Sequence, residues 1–185
     1  MSFVEIVLIA IGLAMDAFAV SVGAGTLSVM NDRRSALRLS FHFGLFQFFM
    51  PVIGWFLGTS VRHYVESIDH WVAFVLLAYI GIKMIHESIQ KEDSRKENPS
   101  KGRNLVILSL ATSIDALAVG FTFALLSVNI WYASATIGII TAALCAGGVW
   151  VGSRLGMRLG KIMEVVGGII LMVIGTKILI EHLYG

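Results

Sequence analysis

Ala14-Met15-Asp16-Ala17-Phe18-Ala19-Val20 lies in the middle of the first apolar run, and Ser113-Ile114-Asp115-Ala116-Leu117-Ala118-Val119 repeats its pattern in the middle of the fourth. Each copy puts one carboxylate near the centre of a segment otherwise apolar enough to span a bilayer. An ionised Asp there costs roughly 2.5–3.5 kcal/mol on insertion scales, so two cost about 5–7 kcal/mol before any partner is found. Burial at that cost, made twice, points to function.

The surrounding composition agrees with a bilayer setting. Of 185 residues, 57% are hydrophobic and 14% charged, whereas a soluble domain carries roughly a quarter charged residues. The mean hydropathy of +0.83 and apolar runs of about 20 residues predict an integral membrane protein. Lipid offers open backbone groups no partner, and the runs are too long for barrel strands, so they must be helices. The sequence predicts six spans, at 3–25, 39–60, 70–89, 104–126, 131–152 and 161–183, with no room for a soluble domain. Glu5 and the lack of a basic leading segment make the first run a retained span rather than a cleaved signal. A single cysteine, Cys145, lies inside the fifth run, which excludes an intramolecular disulfide.

Charge is distributed unevenly over the connections. Arg33, Arg34 and Arg38 follow the first span, Lys91, Arg95, Lys96, Lys101 and Arg103 the third, and Arg154, Arg158 and Lys161 the fifth, whereas the second and fourth connections hold only Arg62. Eleven basic residues against one place the odd-numbered loops in the cytoplasm and both termini outside. The polar stretch around 90–103 divides one transmembrane domain, 1–185, into halves at about 1–89 and 104–185. These halves resemble each other. Asp16-Ala17-x-Ala19-Val20 matches Asp115-Ala116-x-Ala118-Val119 at an offset of 99. Gly58 matches Gly152, and Gly81-x-Lys83-x-x-x-Glu87 matches Gly175-x-Lys177-x-x-x-Glu181, at an offset of 94. Three helices per half force the repeats to insert in opposite orientations, the inverted-repeat plan of secondary transporters, whose sites lie at the midplane.

Asp16 shares its helical face with Gly12, Ala19, Val20 and Gly23, and Asp115 with Ala111, Thr112, Ala118 and Thr122. These small faces predict a close crossing of the first and fourth spans that brings the carboxylates together. Every Lys and Arg falls in a loop or within about two turns of a span end, so the expected counter-charge is a proton or a transported cation. Two carboxylates in one low-dielectric site repel, which favours holding a proton when no metal is bound. Carboxylate, hydroxyl and amide oxygens suit hard divalent ions, and Thr112 and Gln47 are the nearest candidates for further ligands. Met15 could add a thioether but reads more simply as packing. Glu164, ahead of Gly167-Gly168, could attract cations at the inner mouth or pair with Lys161 or Arg158. His42 reads as an interfacial residue, Asn129 as a turn former, and the Lys83/Glu87 and Lys177/Glu181 pairs as interfacial anchors. Pro51 is expected to kink or hinge the second span. Gly148, Gly152, Gly156 and Gly160 form a ridge suited to close helix packing. No phosphate-binding Gly loop, Cys-x-x-Cys or His-Glu-x-x-His occurs, so no enzymatic activity, resident cofactor or nucleic-acid partner is expected.

Taken together, Met15-Asp16-Ala17-Phe18-Ala19, Ile53-Gly54-Trp55, Trp71-Val72-Ala73-Phe74-Val75-Leu76-Leu77, Ala111-Thr112-Ser113-Ile114-Asp115-Ala116-Leu117-Ala118-Val119-Gly120, Val128-Asn129-Ile130 and Glu164-x-x-Gly167-Gly168 resemble the MntP-type manganese efflux pumps of bacteria. The resemblance covers the whole chain. It implies a multi-pass inner-membrane protein with a fold similar to the lysine-exporter superfamily, exporting Mn²⁺ as substrate, with Asp16, Asp115 and Glu164 serving the ion path. The position of Gln47 can be acidic in that family and is neutral here, which leaves the charge at the site open. Protons are the expected counter-ion, and oligomers are compatible with the sequence. Two rivals remain: an exporter of another divalent cation or a cationic amino acid, and a membrane scaffold whose buried acids only pin helices.

Overall fold

The computed structural model describes residues 1–27, 32–65, 69–89, 99–155 and 158–184, and every regular element among them is helical. The helices are α1 (Phe3–Gly25), α2 (Arg33–Val65), α3 (Asp69–Ile89), α4 (Gly102–Ala111), α5 (Ile114–Leu125), α6 (Ile130–Leu155) and α7 (Arg158–Tyr184). A capping box opens α1: Ser2 Oγ accepts from the Glu5 N–H, and Glu5 Oε2 accepts from the Ser2 N–H at 2.7 Å.

Among the described residues, four stretches are long and apolar enough to cross a membrane: Phe3–Gly25, Arg33–Ser60, Gly102–Leu125 and Ile130–Arg154. The expected third and sixth spans correspond to α3 and α7, whose apolar stretches among the described residues include Phe74–Lys83 and Gly168–Ile180. The second span begins earlier than expected, because Arg33, Arg34 and Arg38 belong to the first turns of α2 rather than to a loop. α2 continues through Pro51 as one helix. The fourth span corrects the sequence reading most, for it is two helices, α4 and α5, parted at Thr112 and Ser113.

The helices interleave. α1 packs on α6 and α7, α5 on α2 and more lightly on α3, α2 crosses α6, and α3 crosses α7. Interfaces between neighbours in sequence, such as α1 with α2 or α6 with α7, are slight. Exchanging α1 with α5, α2 with α6 and α3 with α7 maps this set of interfaces onto itself.

The close approaches obey the same exchange, with the offsets of 94 and 99. Gly54 faces the Leu117 carbonyl and Gly148 the Phe18 carbonyl; Gly58 faces Phe121 and Gly152 faces Val22. Gly44 and Gly138, themselves 94 apart, face each other: a Cβ on either would lie 2.8–2.9 Å from the other's carbonyl oxygen. The α2–α6 crossing therefore sits on the axis of the exchange.

This packing also corrects the expected crossing of the first and fourth spans. Among the described residues, α1 has no substantial interface with α4 or α5. The glycines Gly148 and Gly152 of α6 take up α1, and Gly54 and Gly58 of α2 take up α5. The small faces are thus used against the middle helices, as the ridge on the fifth span anticipated. Gly156 lies outside the described residues.

Phe43, Leu77, Phe123 and Leu171 are fully enclosed, whereas Ile139, Val173 and Tyr79 are more than 60% exposed. An exterior so apolar on elements of this length suits lipid contact.

Candidate metal centre

The break between α4 and α5 has a local cause. Ser109 Oγ donates to the Leu105 carbonyl at 2.8 Å, Thr112 Oγ1 to Leu108 at 3.0 Å, and Ser113 Oγ to Ser109 at 2.7 Å. Hydroxyls that turn back on the preceding carbonyls compete with the ladder and bend helices. The Ser113 N–H accordingly bonds three residues back, to Leu110, at 3.1 Å. The positions 99 residues earlier are Ala10, Leu13 and Ala14, which have no hydroxyl, and α1 runs unbroken through them.

Restarting the helix at Ile114 places Asp115 in the first turn of α5, where the partial positive charge of a helix N-terminus favours a carboxylate. Asp115 is 6% exposed. The break also leaves the Thr112 carbonyl to accept from Gln47 Nε2 at 3.2 Å. Gln47 is fully buried, and its Oε1 has no hydrogen-bond partner among the described residues. Pro51, one turn on, has no N–H and so withdraws the ladder donor from the Gln47 carbonyl. Of the expected ligands, Gln47 and Thr112 thus meet through the Nε2–carbonyl bond.

Thr141, the α6 counterpart of Gln47 at the 94-residue offset, is also fully buried, and its Oγ1 likewise has no partner among the described residues. Asp16, half-buried on α1, lies close enough to Cys145 to influence it electrostatically, and Cys145 is one turn beyond Thr141 on α6. Glu164 falls on α7 with its side chain outside the described residues. His42 Nδ1 meets the Arg38 carbonyl at 2.8 Å and Asn129 Oδ1 accepts from the Tyr132 N–H at 3.4 Å, so both serve local backbone. Among the described residues, no three acidic, His or Cys side chains converge. Any cation held at this site would therefore depend on neutral oxygens as well as on Asp, a donor set suited to hard ions.

One expectation fails outright. Asp115 has a basic partner at its own depth: Lys83 Nζ, from α3, donates to Oδ1 at 2.9 Å and to Oδ2 at 3.0 Å. Lys83 stands six residues before the end of α3, yet its long stem carries the ammonium inward, the reverse of the usual snorkel toward water. Its counterpart Lys177 bonds Glu5 Oε1. Each lysine thus ties the last helix of one half to a carboxylate on the first span of the other, rather than serving only as an interfacial anchor. The side chains of Glu87 and Glu181 lie outside the described residues.

Residues 30–179 match the family described as "Mntp: Putative manganese efflux pump". A protein of Syntrophotalea carbinolica named "Putative manganese efflux pump MntP" is 48% identical over 179 residues, covering 96% of this chain and 95% of the relative. Relatives with the same name in Actinobacillus succinogenes and Citrifermentans bemidjiense are 48% and 46% identical, each over 98% of both chains. The chain belongs to the MntP family. No solved structure matches it.

For this MntP-family chain, sequence reasoning missed three features. The break was signalled by Ser109-x-x-Thr112-Ser113, a cluster of hydroxyls absent from the matching stretch of α1. Thr141 was signalled by its offset of 94 from Gln47. The Lys83–Asp115 contact had no signal in one chain, because the register of α3 against α5 is a tertiary fact.

Proposed function

We propose that the chain exports manganese(II) from the cytoplasm across the bacterial inner membrane, as a proton-coupled secondary transporter. In this reading α1, α2 and α3 form one inverted repeat, the α4–α5 span with α6 and α7 forms the other, and both termini lie outside. Asp16 and Asp115 are the anionic ligands near the midplane, supported by Thr112 and Gln47, and Glu164 receives the ion at the cytoplasmic mouth. Return of protons to the carboxylates from the outer side helps release.

The observation that carries the reading is the fully buried, unpartnered Gln47 Oε1 one hydrogen bond away from the turn that presents Asp115. A buried acceptor left unmet costs about 1–3 kcal/mol, and a hard cation between it and the carboxylate would remove that cost. Support also comes from the names of the relatives, from the exchange-invariant packing and from the broken span, a recurrent feature of midplane sites in transporters. Offset oxygen donors alone do not separate Mn²⁺ from its neighbours, so the choice of metal follows the relatives.

The Lys83–Asp115 ion pair favours a second reading, in which the acids only pin helices together. Removing one partner of a buried pair costs about 3–5 kcal/mol, so that reading predicts loss of folding and abundance in Asp115→Asn. The deciding measurement is cellular manganese during Mn²⁺ challenge, in a deletion strain carrying wild type, Asp16→Asn or Asp115→Asn at matched membrane abundance. Export requires that wild type lower manganese and that both variants fail while folded. Equal behaviour of all three would leave the acids structural.

A further inference from the structure

We infer that Lys83 is a built-in counter-cation for the metal site: its ammonium occupies Asp115 when manganese is absent, is displaced as manganese binds, and returns to drive the ion off. The inference rests on the export reading above and adds to it the group that competes with the substrate.

The geometry makes the competition direct. Both Asp115 oxygens accept from the same ammonium, at 2.9 and 3.0 Å, so an ion reaching either oxygen must share it with that ammonium, and repulsion between the two cations favours displacement. The partners are unequally enclosed, with Asp115 at 8% side-chain exposure and Lys83 at 29%. The carboxylate is held by the start of α5 at the break, whereas the lysine is a long chain on another helix. Lys83 is therefore the partner able to withdraw.

The energetics balance in the way a transporter needs. A hard divalent ion brings twice the charge to roughly 2.0–2.6 Å from oxygen, closer than the ammonium, but must shed part of its water. The ammonium is weaker but tethered, so its effective concentration at Asp115 stays high after the metal arrives. A carboxylate with no resident cation would bind the metal more tightly and release it more slowly.

The test uses the full chain in lipid nanodiscs, with Mn²⁺ binding followed by titration calorimetry and export by Mn²⁺ uptake into inside-out vesicles. Lys83→Met is expected to bind Mn²⁺ at least about tenfold more tightly, equivalent to about 1.4 kcal/mol, with a lower half-saturating concentration and a lower maximal rate. Lys83→Arg, which keeps the competing charge, is expected to bind no more tightly than wild type. A folded Lys83→Met that binds no more tightly overturns the inference. Asp115→Asn separates the two levels of the argument. If it abolishes binding, the site reading stands whatever Lys83→Met does; if it binds as wild type does, the site reading itself fails. Should Lys83→Met not fold, acylation of Lys83 in the wild-type chain by a membrane-permeant amine reagent is read by mass spectrometry. Mn²⁺ must accelerate it, and a rate indifferent to Mn²⁺ overturns displacement.

Discussion

Replacing Gln47 by Leu separates a buried imperfection from an ion ligand. Leu fits a fully enclosed position but has neither amide atom. The bond from Nε2 to the Thr112 carbonyl, at 3.2 Å, contributes about 0.5–1.5 kcal/mol, and leaving that carbonyl unmet adds about 1–3 kcal/mol. Against this, Oε1 is already buried without a partner, and its removal returns a similar 1–3 kcal/mol. The terms oppose each other and are of like size, so folding stability should change by no more than about 1–2 kcal/mol. Transport should not be spared in the same way. A neutral acceptor facing a charge is worth about 1.5–3 kcal/mol, which raises the half-saturating Mn²⁺ concentration roughly ten- to hundredfold. The assay is Mn²⁺ uptake by inside-out vesicles at matched abundance, beside thermal denaturation of the purified chain. Unchanged uptake by a normally folded Gln47→Leu would refute the ligand role of Oε1. A stability loss well beyond the range above would show that the amide holds the broken span together instead.

Two further perturbations address the frame that carries the site. Gly44→Ala and Gly138→Ala each place a Cβ 2.8–2.9 Å from the facing carbonyl, so each should lower stability by a similar amount, about 1–3 kcal/mol, by thermal denaturation; an unaffected melting temperature in either would show that the crossing yields freely. Substituting Ser109→Ala, Thr112→Val and Ser113→Ala together removes the back-bonding hydroxyls and should let α4 and α5 join, slowing amide hydrogen exchange across residues 112–114 and reducing export. Unchanged exchange there would mean that packing, not the hydroxyls, makes the break.

How much of this was legible depends on whether the signal was local. The paired Asp motifs, the helical reading of the runs, the repeat offsets and the packing role of Gly148 and Gly152 are patterns along the chain, and the packing in the structure bears out that role of the glycines. The depth of Lys83 was misjudged because backbone position was taken as side-chain position: a lysine stem spans about a helical turn, enough to carry charge from near a span end to Asp115. The crossing of the first and fourth spans was misjudged because small faces on both were matched to each other, when α2 and α6 carry glycines that compete for them. Thr141 went unnoticed because it differs in type from Gln47, although the offset aligns them. Composition reports which residues recur, but only packing reports which recur in the same place.

The exchange of halves holds for close approaches and fails for polar chemistry, and that contrast has a physical consequence. Gly44 and Gly138, Gly54 and Gly148, and Gly58 and Gly152 are matched in residue type and in what they face. Around the two carboxylates the match ends: Gln47 stands opposite Thr141, Pro51 opposite Cys145, and Ser109, Thr112 and Ser113 opposite Ala10, Leu13 and Ala14. Two halves that pack by the same contacts can trade conformations at little cost in packing, which alternating access between inverted repeats requires. A binding site with the same symmetry would hold its ion equally from either side. The polar differences instead include the Gln47 amide on the freed Thr112 carbonyl and the Lys83 ammonium on Asp115. In the proposed cycle that asymmetry is what allows one arrangement to favour the ion and the other to favour the ammonium, so that exchange of the halves changes affinity as well as access.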